Sequence, residues 1–300
     1  MSGQGGTSLG LTAPAGLNAE GIAEDIRRER RNLRLLASPA LGLVLVLIIG
    51  PMLWLFYLSF YNEHGQFTFE HYARMFDEGA YFTIFWTTFE VSAIVTLFCA
   101  LLGYPLAYLL AQMPARWANI VMLGVLVPFW TALLVRTYAW LVLLQRRGLV
   151  NDTLVSWGII DQPLALVHNL TGTLIGMTHV MIPFLVLPLY ATMKTIDPNL
   201  LRASGSLGAS PTRAFWSVYY PLSAPGLYAG MILVFIFCLG FYVTPAVLGG
   251  GRVIMIAQRI DNSVSLYPSW GAASALGVVL LLITIVLMVV GLWISKLARR

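Results

Sequence analysis

The run LGLVLVLIIGPMLWLFYLSF occupies residues 41–60 and contains no charged residue. An α-helix needs about 20 apolar residues to cross the hydrocarbon core of a bilayer, so this run predicts a transmembrane span. The basic segment RRERRNLR, residues 27–34, ends six residues before this run. Arginines beside a span favour the cytoplasmic side, so the chain is predicted to enter the membrane from the cytoplasm.

The rest of the chain repeats this pattern. Of its 300 residues, 58% are hydrophobic and 10% are charged, whereas soluble proteins average about 25% charged residues. Secreted, fibrous and disordered classes are therefore excluded. The apolar runs predict an all-α integral membrane protein with six spans, at residues 36–60, 85–111, 117–144, 171–193, 225–248 and 271–295.

The basic residues also set the predicted topology. Lys296, Arg299 and Arg300 follow the last span. Six spans with basic residues at both ends place both termini in the cytoplasm of a bacterial inner membrane. The net charge of +5 therefore reflects topology rather than nucleic-acid binding. Residues 1–34 are predicted to form a largely disordered cytoplasmic tail, and residues 35–300 the six-helix membrane domain.

The predicted inner loop at residues 194–223 is the most informative segment. It begins with KTIDPNLLRASGSLGASPTRAFWSVYYP, residues 194–221. Asp-Pro at 197–198 and Ser-Pro at 210–211 each place an N-cap side chain before a proline at the first helical position. The first helix is predicted to end near Gly205 or Gly208 and the second at Pro221. Two short helices joined by a glycine turn would form a rigid projection on the inner face.

This loop resembles the EAA loop of ABC importer permeases, the binding-protein-dependent transport system inner membrane components of the MetI-like, type I fold. In that family Glu-Ala-Ala, a glycine four residues later and a final Ile-x-Leu-Pro dock into an ATPase subunit. The matching positions here are Arg202, Ala203, Ser204, Gly208, Val218, Tyr220 and Pro221. The spacing is kept, and Arg202 replaces the family's Glu.

The resemblance implies a set of coupling residues and partners. The implied coupling surface comprises Arg202, Ala203, Ser204, Leu207, Gly208, Ala209, Pro211, Phe215 and Pro221. The implied partners are two ABC ATPase subunits, a second homologous permease and an extracytoplasmic solute-binding protein. The chain has no P-loop, since neither of its lysines, Lys194 and Lys296, follows a glycine. We therefore expect no catalytic residue, metal or cofactor in this chain, with ATP and Mg²⁺ bound by the partner ATPase.

Two further segments resemble the spermidine/putrescine branch of these permeases. They are PFWTALLVRTYAW at residues 128–140, with GLVN at 148–151, and GFYVTPAVLGG at 240–250. Permeases for phosphonate, ferric iron and thiamine are close relatives and remain alternatives. An ion-coupled secondary transporter should show more buried acidic residues and an internal repeat. A membrane-embedded enzyme should show a catalytic motif, and the sequence contains none that we recognise.

Candidate pathway residues come from charges within the spans and from the branch motifs. Glu90 and Arg136 are the only charges well inside predicted spans, where an ionisable group needs a partner or water. They either pair with each other or line the vestibule through which a solute passes. The branch motifs add Tyr138, Phe241, Tyr242 and Thr244. His179, also within a span, is expected to be a hydrogen-bonded buried histidine rather than a metal ligand.

Overall fold

A computed structural model describes residues 19–62, 65–77, 79–266 and 270–297. Within these ranges the chain is helical apart from loops and one isolated bridge between Tyr61 and Phe67, which confirms the all-α prediction. The helices are α1 Ala19–Ser59, α2 Glu70–Asp77, α3 Gly79–Gln112, α4 Ala115–Trp130, α5 Leu133–Leu143, α6 Leu149–Ser156, α7 Leu170–Lys194, α8 Pro198–Ser206, α9 Pro211–Ala214, α10 Tyr220–Leu239, α11 Val243–Leu248, α12 Ile256–Ser265 and α13 Trp270–Leu297. A π-helical segment, Phe215–Tyr219, joins α9 to α10.

The N-terminal part corrects one expectation. The predicted disordered tail extends to residue 34, but α1 begins at Ala19. Residues 19–34 are rich in Arg, Glu and Ala, which are strong helix formers, so the span extends towards the N-terminus as one helix. Residues 1–18 of the expected tail lie outside the described residues. The chain divides into one unit up to Trp54 and a larger unit from Leu55 onward.

Five described helical stretches are long and apolar enough to cross a membrane: Leu35–Ser59, Gly79–Gln112, Leu170–Lys194, Pro211–Leu239 and Trp270–Gly291. A sixth crossing is present if α4 and α5 are counted together, because they form an apolar pair with a bend of 100° between them. Five of the six predicted spans therefore correspond to continuous helices, and the sixth corresponds to the bent pair α4 and α5.

The broken crossing differs from the straight span predicted at residues 117–144. Pro128 lies inside the last turn of α4, and Thr131 takes an extended conformation with φ −84° and ψ 145°. Proline removes one backbone donor and disturbs the preceding turn, which ends the helix two residues later. The chain then turns by 100° into α5.

The fifth span also differs from its predicted bounds of 225–248. It ends at Leu239, and α11 follows as a separate helix of six residues. At the other end, Pro221 does not terminate the second loop helix, because helical structure continues from Pro211 to Leu239. Pro221 is the second residue of α10 and directly follows the π-helical segment Phe215–Tyr219, where the regular α-helical hydrogen-bond pattern is interrupted. The loop is thus joined directly to a transmembrane helix.

The core of the larger unit forms where α3, α7 and α10 pack together. Its fully buried side chains include Val91, Val95, Cys99, Met177, Met181, Leu185, Leu189, Val234 and Cys238. Small residues let the helices approach closely, as is usual in membrane bundles. At Gly230 of α10, an added Cβ would lie 3.0 Å from the carbonyl oxygen of Leu185 on α7. These three helices form the frame that holds the two sites described next.

Candidate functional site: a capped two-helix loop and an aromatic cavity

The loop between α7 and α10 begins each of its helices with a side-chain cap. The Asp197 carboxylate accepts a hydrogen bond from the Asn199 backbone N–H at 2.9 Å. The Ser210 hydroxyl accepts one from the Arg213 backbone N–H at 3.3 Å. Both capping residues precede a proline at the first helical positions. The two helix starts predicted from the sequence are confirmed.

A tight turn separates the two loop helices. Helix α8 ends at Ser206, and Gly208 adopts a φ of +84°, a left-handed conformation that favours glycine. The turn projects Leu207 outward, with 89% of its surface exposed. The Leu207 side chain is therefore available for contact with a partner.

The inner side of the loop packs on aromatic side chains. The Phe215 ring contacts Tyr104 and Tyr108 of α3 edge to face, with centroids 6.1 and 5.7 Å apart. A cavity of about 280 Å³ lies beside these rings and is lined by Tyr108, Leu201, Gly205, Ala209, Pro211, Ala214, Phe215 and Tyr219. The sequence assigned both Leu207 and Phe215 to the coupling surface, but only Leu207 points outward, whereas Phe215 holds the loop on α3.

The exposed surface of the loop is basic. Arg202 and Arg213 are both exposed, and the Arg202 guanidinium donates to the Asn199 side-chain oxygen at 3.2 Å. Lys194, at the end of α7, donates from Nζ to the carbonyl oxygen of Ala111 at 3.1 Å. The single acidic residue of the loop, Asp197, is engaged as a helix cap.

The remaining predicted coupling residues occupy the same loop. Ala203 is exposed on α8, and the Ser204 hydroxyl donates to the Leu201 carbonyl oxygen at 2.8 Å. Ala209 is half-buried after the turn, and Pro221 is exposed in the first turn of α10. Their assignment to ATPase docking stays a prediction.

A second candidate site lies in the membrane part of the larger unit, at the break between α4 and α5. The site is a cavity of about 370 Å³ bounded by α4, α5, α7 and α10. It is lined by Phe129, Thr131, Leu133, Arg136, Val180, Met181, Phe184, Phe237 and Phe241. The Phe184 ring contacts Phe129 and Phe237, with centroids 5.3 and 4.8 Å apart. The walls are therefore mainly apolar, and phenylalanine is their most frequent residue.

Arg136 is the charged residue of this cavity. It is only 8% exposed, and its Nη2 donates to the carbonyl oxygen of Thr131 at 3.1 Å. The break between α4 and α5 frees this carbonyl from helical hydrogen bonding, so the guanidinium satisfies it and helps to hold the bend. The Arg136 Nε has no hydrogen-bond partner among the described residues.

Glu90 does not join this site. It is exposed on α3 and is not among the residues that line the cavity. The first alternative was an ion pair between Glu90 and Arg136. The described contacts contain no such pair, and the Arg136 guanidinium donates to the Thr131 carbonyl oxygen instead.

The other pathway candidates occupy different environments. Tyr138 is 54% exposed on α5, on the side opposite Arg136. Thr244 is fully buried, with its hydroxyl 3.4 Å from that of Thr137 on α5. Tyr242 donates from its hydroxyl to the Asp261 carboxylate at 3.0 Å. This hydrogen bond, with a smaller contribution from burial, raises the pKa of Tyr242.

His179 is bonded within the bundle. Its Nδ1 accepts a hydrogen bond from the indole N–H of Trp140 at 3.1 Å, which links α7 to α5. The expectation of a hydrogen-bonded histidine is confirmed. In the ranges that the structure describes, no group of three or more His, Cys, Asp or Glu residues is arranged to hold a metal ion.

Sequence reasoning did not identify three of the cavity phenylalanines, Phe129, Phe184 and Phe237, or the Asp261 partner of Tyr242. In an apolar span, the sequence pattern does not distinguish a phenylalanine that faces lipid from one that lies in the core or lines a cavity. Asp261 lies on α12, 19 residues from Tyr242 in sequence, so no helical spacing could connect them.

Comparisons with known proteins identify the family. The model of the family described as "Binding-protein-dependent transport system inner membrane component" matches residues 30–300. The spermidine/putrescine transport system permease protein PotB of Haemophilus influenzae is 29% identical over 259 residues, which cover 84% of this chain and 90% of that protein. PotB of Salmonella typhimurium strain SL1344 is 33% identical over 70% of this chain and 74% of its own. PotB of Escherichia coli K12 is 30% identical, over 78% and 85% respectively.

A solved structure supports the same fold. A chain of a bacterial ABC transporter involved in the import of the acidic polysaccharide alginate matches with a TM-score of 0.73 at 16% identity. The match covers 92% of this chain and 98% of that one. The likeness in structure agrees with the family match along nearly the whole sequence. This chain therefore belongs to the binding-protein-dependent transport system inner membrane components, the permease subunits of ABC importers.

Proposed function

We propose that this permease forms one half of the translocation pathway for a polyamine such as spermidine or putrescine. The observation that carries this proposal is the similarity to PotB proteins, at 29% to 33% identity over 70% to 84% of the chain. The chain itself does not hydrolyse ATP in this scheme. A separate ATPase binds ATP and Mg²⁺, and an extracytoplasmic binding protein delivers the solute.

The aromatic cavity supports the passage of an amine. Ammonium groups are attracted to the faces of aromatic rings by cation–π interactions, and four phenylalanines line this cavity. Arg136 is positively charged, so it repels a cation, whereas a tight cation site would contain negative charges. A pathway must release its solute, so attraction by the rings and repulsion by Arg136 together favour transit over retention.

The outer side supports the same solute class. We propose that both termini are cytoplasmic, because arginines precede the first span and basic residues follow the last. Asp261 on α12 then lies towards the outside, where its carboxylate attracts cations. The predicted outer loops also contain slightly more acidic than basic residues.

Uptake by the reconstituted complex tests the substrate. Proteoliposomes that contain the permeases, ATPase and binding protein should take up labelled spermidine or putrescine only with ATP inside. Unlabelled thiamine, phosphonate and ferric iron should fail to compete. Competition by one of these, without polyamine uptake, would assign the chain to that solute. Polyamine uptake driven by an ion gradient without ATP would instead identify a secondary transporter.

We also propose that the loop from α8 through the π segment transmits ATP-driven closure to the pathway. Leu207 inserts into a groove of the ATPase, and the rigid link from Pro211 to Leu239 carries the movement into the membrane. Two ATPase copies serve two such loops, one on this chain and one on a second homologous permease. Because Arg202 replaces the family's Glu, the groove is expected to present an acidic residue, or none, at that position.

Paired substitutions test the docking. Leu207→Asn removes the exposed apolar side chain and should reduce co-purification of the ATPase at least tenfold. Ser206→Asn, its matched control, places the same amide on the neighbouring exposed residue and should change co-purification little. A cysteine at Ala209 should cross-link to one in the ATPase groove. Full ATPase binding by Leu207→Asn, or no cross-link in a transporting complex, would contradict the docking.

A further inference from the structure

Arg136 is a buried cation to which the described part of the chain gives no counter-ion. It lines the aromatic cavity, and none of the other residues that line this cavity is charged. Among the described residues it makes no ion pair. The apolar part of the N-terminal unit, residues 35–54, contains no charge either. A charge in a membrane span is costly without a partner or water, so the contact that Arg136 does make is informative.

That contact is with a main-chain carbonyl at the end of a broken helix. The Arg136 Nη2 donates to the carbonyl oxygen of Thr131 at 3.1 Å. Thr131 and Ala132 have ψ values of 145° and 137°, outside the helical region, and no described backbone N–H donates to the Thr131 carbonyl. Helix α4 ends here, and the last carbonyls of a helix carry partial negative charge. The Thr131 carbonyl is therefore a ready acceptor for a cation.

The surroundings of this carbonyl suit an organic ammonium group. Hydrogen bonds from a charged donor are stronger than those from a neutral one, and aromatic faces attract cations. Phe129 and Phe241 line the same cavity as Thr131. Its volume of about 370 Å³ falls within the range of small-molecule sites, about 300 to 1,000 Å³. In transporters, carbonyls freed by a broken helix commonly coordinate cations.

The guanidinium holds its place loosely. An arginine side chain has five N–H donors, and the described hydrogen bonds include one from the Arg136 guanidinium. The Nε is buried without a partner among the described residues. Buried polar groups that only stabilise a fold usually have their hydrogen bonds satisfied. A single bond is a hold that a competing donor can replace.

The backbone that carries Arg136 is, in contrast, fixed to its neighbours. On the next residue, the Thr137 hydroxyl lies 3.4 Å from the Thr244 hydroxyl of α11. One turn further along α5, the Trp140 indole N–H donates to His179 of α7 at 3.1 Å. Release of the Thr131 carbonyl therefore requires only a rotation of the Arg136 side chain, and α5 stays in place.

We propose that the Thr131 carbonyl is the acceptor for an ammonium group of the solute and that Arg136 occupies this site while no solute is bound. The guanidinium is then an internal substitute for the solute, and an arriving ammonium displaces it. This arrangement accounts for a cation in a cavity that passes amines. The inference rests on the proposed function, because the solute must carry an ammonium group with N–H donors.

Two amine probes test the site in the full complex, held in lipid nanodiscs without ATP or binding protein. Butylammonium and butyltrimethylammonium carry the same charge, but only butylammonium has N–H donors. In Arg136→Ala, both probes gain from the loss of a positive charge, and only butylammonium gains a free carbonyl acceptor. Saturation-transfer NMR should therefore show that Arg136→Ala tightens the binding of butylammonium at least tenfold more than that of butyltrimethylammonium.

The control Arg136→Lys keeps a cation with N–H donors, so its preference between the two probes should stay within about threefold of the native one. Equal tightening of both probes by Arg136→Ala would mean that Arg136 acts by charge repulsion alone. No tightening of butylammonium would mean that the Thr131 carbonyl takes no amine. Either result overturns the proposal.

Structures of the native complex test the displacement without any substitution. In cryo-electron microscopy maps without solute, Arg136 should donate to the Thr131 carbonyl. With putrescine trapped in the pathway, an ammonium nitrogen should lie within about 3.2 Å of that oxygen, and the guanidinium should have rotated away. An Arg136 paired with a carboxylate of another subunit before solute binds, or still bonded to Thr131 beside bound putrescine, would overturn the proposal.

Uptake by the same complex separates this inference from the proposed function. A complex that takes up polyamines, but in which Arg136→Ala affects both probes equally, refutes the ammonium site alone. A complex that takes up phosphonate or ferric iron and no polyamine refutes the proposed function. The two amine probes do not depend on the transported solute, so they report on the site in either case.

Discussion

At the scale of single residues, Arg136 and Glu90 lie in different surroundings. Arg136 donates to the freed carbonyl of Thr131, whereas Glu90 faces away from the bundle on α3. Substitutions that share no partner act additively, to within about 0.5 kcal/mol. Glu90→Gln and Arg136→Gln should therefore change the free energy of unfolding of the lone chain independently. A double-mutant cycle by denaturant titration checks this, and a coupling above about 1 kcal/mol would show that the charges pair.

Tyr242 gives a prediction that depends on pH. Its hydrogen bond to Asp261 raises its pKa, so the folded protein holds the phenolic proton more tightly than the unfolded chain does. The resulting stabilisation is complete below the ordinary tyrosine pKa of about 10 and is lost as the pH rises through the higher folded value. The melting-temperature difference between the native chain and Tyr242→Phe should be constant near neutrality and shrink above about pH 10. A difference that stays constant there would contradict the bond.

At the scale of elements, the loop depends on the backbone of one glycine. Gly208 has a φ of +84°, and Gly205 is an ordinary helical residue of α8. An added Cβ meets no atom within 4 Å at either position, so the backbone alone decides the outcome. Gly208→Ala should destabilise the chain by roughly 1 to 2 kcal/mol, while Gly205→Ala should stabilise it by about 0.5 to 1 kcal/mol. Thermal unfolding compares the two, and equal effects would contradict the left-handed turn.

The π segment sets the rotation of the loop relative to the span. Such segments carry one extra residue and are frequent at functional sites. Deletion of Ser217 should restore an α-helix and rotate α9 by about 100° relative to α10, which would move Phe215 away from Tyr104 and Tyr108. We expect transport to fall at least tenfold. The control Ser217→Ala keeps the length and should transport normally, and normal transport by the deletion would show that the rotation is unimportant.

At the scale of the whole molecule, the sequence predicts what depends on local chemistry. The apolar runs predicted the membrane helices, and the Asp197 and Ser210 caps predicted where the two loop helices begin. The bend after Pro128 was missed because many prolines in membrane helices cause only a mild kink, and neighbouring helices decide how far the chain turns. The end of the fifth span was missed because the residues on both sides of Gly240 are apolar. The cavity was missed because it forms where α4 and α5 meet α7 and α10, which are distant from them in sequence.

The outward Glu90 carboxylate also bears on how the cell controls the number of permease copies. In the lone chain this carboxylate is exposed on an apolar helix, and a charge exposed within a membrane span is costly, so it is a feature by which a surplus subunit can be recognised. Membrane proteases that remove unassembled subunits could therefore recognise this state. The chain expressed alone should be degraded faster than in the complex, and Glu90→Leu should lengthen its half-life while Glu90→Asp does not. Pulse-chase labelling measures these rates, and equal half-lives for all three chains would show that Glu90 plays no part in their removal.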